Sequence, residues 1–226
     1  MSVSPLLFAS NARNVSGYAT PVEGNGNRFL RIYETRPDGM PFPWLFAHHE
    51  TARGAVHVVP IVTDKKDRQF VHLLIAQRPP LGGQLSIELP AGLWGDKDEN
   101  ETPLQAASRE LKEETGYKTR KSKLLSQQTF ATSTGMTTEE KAFALVYART
   151  KRGKPQRDED EKQFLIGEVQ VPLAVFMNAA RFERWIGKHM QKAHPEKEYI
   201  IGMDIPAARG LMPPLKKNGK KLDLKA

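Results

Sequence analysis

The sequence predicts an α+β domain, a mixed sheet layered with helices, preceded by a β-rich N-terminal extension. Three observations predict it. Two β-branched runs, AVHVVPIV (55–62) and FVHLLIAQ (70–77), flank the charged turn TDKKDR as the arms of a hairpin would. A helix-forming stretch then runs from Thr102-Pro103 to Gly116, and further strand-like runs follow at 141–149 and 164–173. Strands, helix, strands, helix is the order of a layered α+β domain rather than of the alternating units of a doubly wound sheet.

Residues 1–40 are turn-rich and polar around one expected strand at 29–34 (FLRIYE). LSIELPAG (85–92) is short and extended, with Pro90 ending it. Thr102 offers a capping hydroxyl and Pro103 stands where a helix needs no N–H. Good helix formers follow from Leu104, and Gly116 is a natural stop. KAFALVYAR (141–149) is a strand, 150–162 (TKRGKPQRDEDEK) an exposed charged loop, FLIGEVQVPL (164–173) a strand, and 174–190 one amphipathic helix. The organisation expected is an extension at 1–50, a main domain at 51–192 and a C-terminal segment with a basic tail at 193–226.

A chain of 226 residues with 39% apolar content can bury a sizeable core. It has no cysteine, which excludes disulfides, thiolate metal sites and a cysteine nucleophile. No stretch approaches a membrane span, and MSVSPLLFAS lacks the basic start of a signal peptide, so a cytoplasmic location and no membrane partner are expected. The net charge of +8 favours anionic partners, but much of it lies in the tail KKNGKKLDLKA and says little about an active site.

The most informative stretch is GDKDENETPLQAASRELKEETGY (95–117). On the expected helix Glu110, Glu113 and Glu114 stand at i, i+3 and i+4, so the three carboxylates share one side. Arg109 can offset one of them by a forked pair but not all. Oxygens clustered in this way suit Mg²⁺ or Mn²⁺, hard ions that also bind substrate phosphates. The alternative is a solvated acidic face balanced in part by Lys112. The full spacing decides against it: Gly95, Glu101, Arg109, Glu110, Glu113, Glu114 and Gly116 form G-x5-E-x7-R-E-U-x-E-E-x-G-U with Leu111 apolar. With a background near one in fifteen per position, a chance match runs at roughly 10⁻⁸.

This pattern resembles the Nudix box of hydrolases that cut a nucleoside diphosphate linked to another group. The resemblance implies a Nudix-like α/β/α sandwich, makes 51–192 the Nudix hydrolase domain and implies a Mg²⁺ cofactor, with Mn²⁺ an alternative. The preceding run QRPPLGGQLSIELPAG is similar to ADP-ribose and ADP-sugar pyrophosphatases, which carry Q-x-R-P-P and E-x-P-A-G before the box. In such enzymes the R-P-P arginine, here Arg78, contacts substrate phosphate, and the glutamate before P-A-G corresponds to Glu88. The carbonyl of the alanine, here Ala91, ligates metal with Glu110 and Glu114, often with Glu113. Arg109 and Glu101 are expected to orient the glutamates. The general base is expected in an acidic loop, with Glu161 first and Glu139 and Glu113 behind it. Trp44 corresponds to a tryptophan that stacks on adenine, against a rival reading as core or dimer packing. Trp94 stands where it could line the pocket, and Trp185 fits the apolar stripe of the last helix. A homodimer is implied as well.

The expected reaction is metal-dependent hydrolysis of ADP-ribose or a related nucleoside diphosphate sugar to a nucleoside monophosphate and a sugar phosphate. ADP-ribose-specific members usually carry an S-P-G turn beyond the box, where this chain has Ser133-Thr134-Gly135, and Tyr117 replaces an aliphatic residue at the box end. Alternative substrates are GDP-mannose, dinucleoside polyphosphates and RNA 5′ ends. An ADP-ribose-sensing DNA-binding regulator is disfavoured by the intact box and by Pro206, Pro213 and Pro214 in a C-terminal stretch without a helix-turn-helix signal, so nucleic acid is not the expected partner. His48-His49 is not expected to bind metal, since adjacent side chains diverge and no third ligand is apparent.

Overall fold

A computed structural model describes residues 19–26, 30–215 and 222. The N-terminal segment read above for a signal peptide and nearly all of the basic tail lie outside the described residues. The first strands are β1 (Thr20–Gly26), β2 (Leu30–Thr35), β3 (Trp44–His49), β4 (Gly54–Thr63) and β5 (Gln69–Ala76). Next come β6 (Leu85–Glu88), β7 (Ala91–Trp94), helix α1 (Pro103–Thr115), β8 (Lys121–Leu124), β9 (Phe130–Ala131) and β10 (Glu140–Arg149). The last are α2 (Glu159–Phe164), β11 (Leu165–Pro172), α3 (Leu173–Phe176), α4 (Ala179–Ala193), β12 (Tyr199–Ile201) and α5 (Asp204–Leu211). The chain divides into two compact units.

The first unit comprises Met1–Val56, Leu93–Pro103 and Gln128–Ala142. Its sheet has the order β1-β2-β3, antiparallel throughout. The strand expected at 29–34 is β2, and two unexpected strands flank it. β1 reads TPVEGNG, a poor strand former, so its pairing with β2 overrides local preference. Ala19, Tyr33 and Phe46 form a small core, with the Tyr33 and Phe46 rings stacked at 6.0 Å. In the same unit β3 bridges to Thr137 through Ala47.

The second unit comprises His57–Gly92, Leu104–Gln127 and Phe143–Ala226. Its strands run in the order β12-β6-β5-β4-β10-β8, with β11 also on β5. The β4–β5 hairpin expected from sequence is present, with Ile61 opposite Val71. Asp64 shapes its turn by accepting the N–H groups of Lys66 and Arg68. The pair β12–β6 is parallel and the other registered pairs are antiparallel, so the sheet is mixed. Alternation along β5 sends Val71, Leu73 and Ile75 to one face, where they pack with Phe176, Phe182, Ile186 and Ile205 from the last three helices. Each fully buried side chain of this size stabilises the fold by about 1.5–3 kcal/mol. His72 takes the opposite face and meets the ring of Tyr117, just past α1, edge-on at 5.1 Å. Helices on both faces make this the expected α/β/α arrangement.

Two elements correct the sequence reading. The helix expected at 174–190 is two helices, α3 and α4, because the Asn178 side chain accepts the Arg181 N–H and starts a new one. Pro206 does not break the C-terminal segment: it sits in the first turn of α5, where its missing N–H costs nothing.

Glu168 on β11 is the polar hub of this unit. Arg152 Nη1 donates to it at 2.5 Å and Arg157 Nη2 at 2.6 Å, while His72 Nε2 lies 3.4 Å away. Burial alone would raise the Glu168 pKa, but the neighbouring His72 and the hydrogen bond from Arg152 hold it at about 2. Its folded value lies below the unfolded ~4.3, so its contribution is present above that pH and is lost as pH falls toward 2. Denaturant titrations at a series of pH values should show the stability difference between wild type and Glu168→Gln shrinking by up to about 3 kcal/mol from pH 6 to pH 2. A difference that does not vary with pH would refute this account.

Candidate active site

Helix α1 presents the acidic side expected from its sequence, but burial divides the three glutamates. Glu110 and Glu114 are 6% and 3% exposed, whereas the Glu113 side chain is 28% exposed. Arg109 pairs with Glu110 and reaches Glu113 at 3.3 Å. The helix stops at Gly116, whose φ of 75° and contact with the Gly153 carbonyl leave no room for a side chain.

The start of β7 faces these carboxylates. The Ala91 N–H donates to Glu114 Oε2 at 3.1 Å. At the next residue, a methyl group on Gly92 would overlap the Glu110 carboxylate. Two successive residues of the P-A-G run therefore meet two carboxylates one helical turn apart. Burial first, then the Glu110 and Glu161 carboxylates, push the Glu114 pKa well above the usual carboxylate range, against the Ala91 N–H and Arg78.

Arg78 has extended backbone (φ −83°, ψ 129°), as a residue before proline should. Its Nη2 donates to Glu88 Oε2 at 2.7 Å and its Nε at 3.1 Å, and Ser86 Oγ donates to the other Glu88 oxygen. Burial alone would lower the Arg78 pKa. The Glu88 hydrogen bond and charge outweigh it, with help from Glu114 and Glu161. Arg78, Glu88, Ala91, Glu110, Glu114 and Glu161 thus form one electrostatic cluster in the second unit.

Glu161 lies in the first turn of α2 rather than in an unstructured loop. It forms a reciprocal capping box with Asp158: Asp158 Oδ1 accepts the Glu161 N–H at 2.8 Å, and Glu161 Oε2 accepts the Asp158 N–H at 2.9 Å. Glu139 belongs to the first unit, where it accepts the Thr132 hydroxyl at 2.9 Å. Trp44, in the same unit, is 44% exposed, so it is not a core residue of this chain. Its indole N–H donates at 2.7 Å to the carbonyl of Gly135, in the S-T-G turn that departs from the S-P-G pattern. Trp94 is buried, and Trp185 packs against the core stacked on His189. His48 is buried with Nδ1 2.7 Å from Thr138 Oγ1.

Two residues outside every motif support the site. Ser86 holds Glu88, and buried Asp204 accepts the Leu89 N–H at 2.7 Å, two residues before Ala91. Their spacing carries no pattern; only an acid in the apolar context GMDIP hinted at Asp204.

The NUDIX domain family matches residues 51–192, more than half of the chain. This chain belongs to the NUDIX family. A curated relative is the ADP-sugar pyrophosphatase of Mus musculus, 36% identical over 100 residues that make up 42% of this chain and 44% of the relative. The chain thus spans under half the length of that relative. A solved structure described as an ADP compounds hydrolase aligns over 77% of this chain and 91% of its own length, with TM-score 0.49 and 20% identity.

The Nudix carboxylates fit a divalent cation. Two buried acids side by side, with a third carboxylate acting on one of them, are a set that a hard cation neutralises. Among the described residues no three acidic or imidazole side chains are arranged as a complete metal cage. A cation here would complete its shell with backbone, water or substrate oxygens, as Mg²⁺ does. Without a cation, ionised Glu114 destabilises the fold: its folded pKa is raised, so stability is full below the unfolded value and is lost as pH rises through the folded one. In a chelator at pH 8, Glu114→Gln should equal or exceed wild-type stability by on the order of 1 kcal/mol, with the advantage gone at pH 4. A variant less stable than wild type at pH 8 would contradict the reading of Glu114 as a strained buried charge.

Proposed function

We propose that this Nudix protein hydrolyses the pyrophosphate bond of ADP-ribose or a related nucleoside diphosphate sugar, releasing a nucleoside monophosphate and a sugar phosphate. One observation carries it: the buried Glu110–Glu114 pair against Ala91-Gly92, with the Arg78 guanidinium in the same electrostatic cluster. The likeness to an ADP-sugar pyrophosphatase over 100 residues supports the substrate class.

Glu110, Glu114 and the Ala91 carbonyl would hold Mg²⁺, or Mn²⁺, with Glu113 beside them. Bound there, the ion supplies charge neutralisation of the diphosphate and acidification of water. Arg78 grips a phosphate oxygen, oriented by its fork to Glu88, and steadies charge moving to the leaving phosphate. Glu161, its carboxylate fixed by the Asp158 N–H, accepts the proton as the water oxygen bonds to phosphorus and the bridging P–O bond breaks. Arg109 aligns Glu110 and Glu113. Trp44 offers an exposed ring to the base, a contact worth about 1–3 kcal/mol in a stack. Cytoplasmic location and a homodimer complete the proposal.

The decisive assay is Mg²⁺-dependent turnover of ADP-ribose beside ADP-glucose, GDP-mannose, diadenosine polyphosphates and 5′-triphosphate RNA, with products separated by chromatography. A nucleoside monophosphate plus a sugar phosphate should appear fastest from an ADP sugar, and Glu114→Gln should abolish it. Silence on every sugar nucleotide would overturn the substrate class. Glutamine at Glu161 keeps an acceptor for the Asp158 N–H but loses the charge, so kcat should fall at least ~10²-fold. An unchanged kcat would transfer the base role to Glu139 or Glu113.

A further inference from the structure

Arg157 lies outside the Nudix pattern, yet all three of its guanidinium nitrogens are committed. Nε donates to the carbonyl of Glu114 at 2.9 Å, Nη1 to the carbonyl of Leu165 at 3.3 Å, and Nη2 to Glu168 Oε1 at 2.6 Å. Its side chain is 16% exposed. The first bond takes up one of the carbonyls that the last turn of α1 leaves without a partner, and it is the carbonyl of the buried acid itself. The second reaches the C-cap of α2, and Arg157 directly precedes the Asp158–Glu161 capping box. The third anchors the guanidinium to β11 through the hub carboxylate.

We propose that Arg157 is the positioning residue of this site, setting Glu114 and Glu161 in register by tying the end of α1 and the start of α2 to β11. The inference rests on the functional reading above. A planar fork with fixed donor directions is required, because three acceptors, one at the end of α1 and two on β11, cannot be met by a single ammonium. Neighbouring backbone bonds, Gln156 N–H to the Glu113 carbonyl and Gly153 N–H to the Gly116 carbonyl, run along the same helix end but hold the segment without touching Glu114. Arg152 provides the matched comparison. It too joins Glu168 to the end of α1, at the Thr115 carbonyl, without a bond to Glu114 or α2.

The test compares full-length wild type, Arg157→Lys, Arg157→Ala and Arg152→Lys by Mn²⁺ titration with electron paramagnetic resonance, by kcat and KM, and by thermal midpoint. Both lysine variants should lose some thermal stability. Only Arg157→Lys should weaken Mn²⁺ binding at least ~10-fold and lower kcat by a similar factor, with KM little changed, in the range of outer-shell partners of metal ligands. Equal effects in the two lysine variants, or Mn²⁺ affinity unchanged by Arg157→Lys, would reduce Arg157 to a structural residue and overturn the proposal. If Arg157→Ala fails to fold, Arg157→Lys decides alone. Wild type that binds Mn²⁺ but turns over no sugar nucleotide would overturn the functional reading, while the Mn²⁺ comparison still judges Arg157. Wild type that binds no Mn²⁺ would overturn both.

Discussion

Glu110 and Glu114 take carboxylates into a space with almost no solvent, one helical turn apart, and the surrounding second unit is arranged to hold them there. An isolated buried carboxylate is costly enough that it normally takes up a proton. The fold offsets that cost only in part, with Arg109 on Glu110 and one backbone N–H on Glu114. What remains uncompensated appears as the raised Glu114 pKa. A site left short of positive charge in this way is suited to a cation and a polyanionic substrate, and it keeps a local weakness in the empty fold as its condition.

Holding the pair requires both walls to be rigid. On one side the P-A-G run is pinned by Asp204 at Leu89 and by the Val58 N–H to the Pro90 carbonyl. On the other the end of α1 is gripped by Arg157 and Arg152, both anchored on Glu168. Glu168 in turn keeps its charge because His72 and two guanidiniums surround it. From β11 to the end of α1 there is therefore one network of charge-assisted bonds, stronger than neutral ones. Gly92 and Gly116 matter for the same reason: each admits an approach that a side chain would block.

Much of this was legible in the sequence. The hairpin at β4 and β5 and the limits of α1 at Pro103 and Thr115 follow from residue types at fixed spacing, whereas the expectation that Arg78, Glu88 and Ala91 belong with Glu110 and Glu114 came from the resemblance to ADP-sugar pyrophosphatases. β1 was not legible, because its residues favour turns and only pairing with β2 makes it extended. The split between α3 and α4 escaped because both share one apolar periodicity, which a single capping Asn178 interrupts. Glu161 was expected in an acidic loop from the resemblance, and the structure places it instead in the first turn of α2, in a capping box with Asp158.

By itself the sequence determined the reading of family, the box helix and the identity of the acids, because these depend on local spacing and on side-chain chemistry. Only the tertiary structure decided which of three neighbouring glutamates are buried, since that depends on where β7 passes the helix. It alone decided that Trp44 stands exposed against the S-T-G turn, and that Arg157 and Asp204, from segments without any motif, reach the backbone beside the site. Such contacts join residues 43 and 115 positions apart in these two cases. No local pattern encodes them, because packing of the whole second unit brings those backbone groups together.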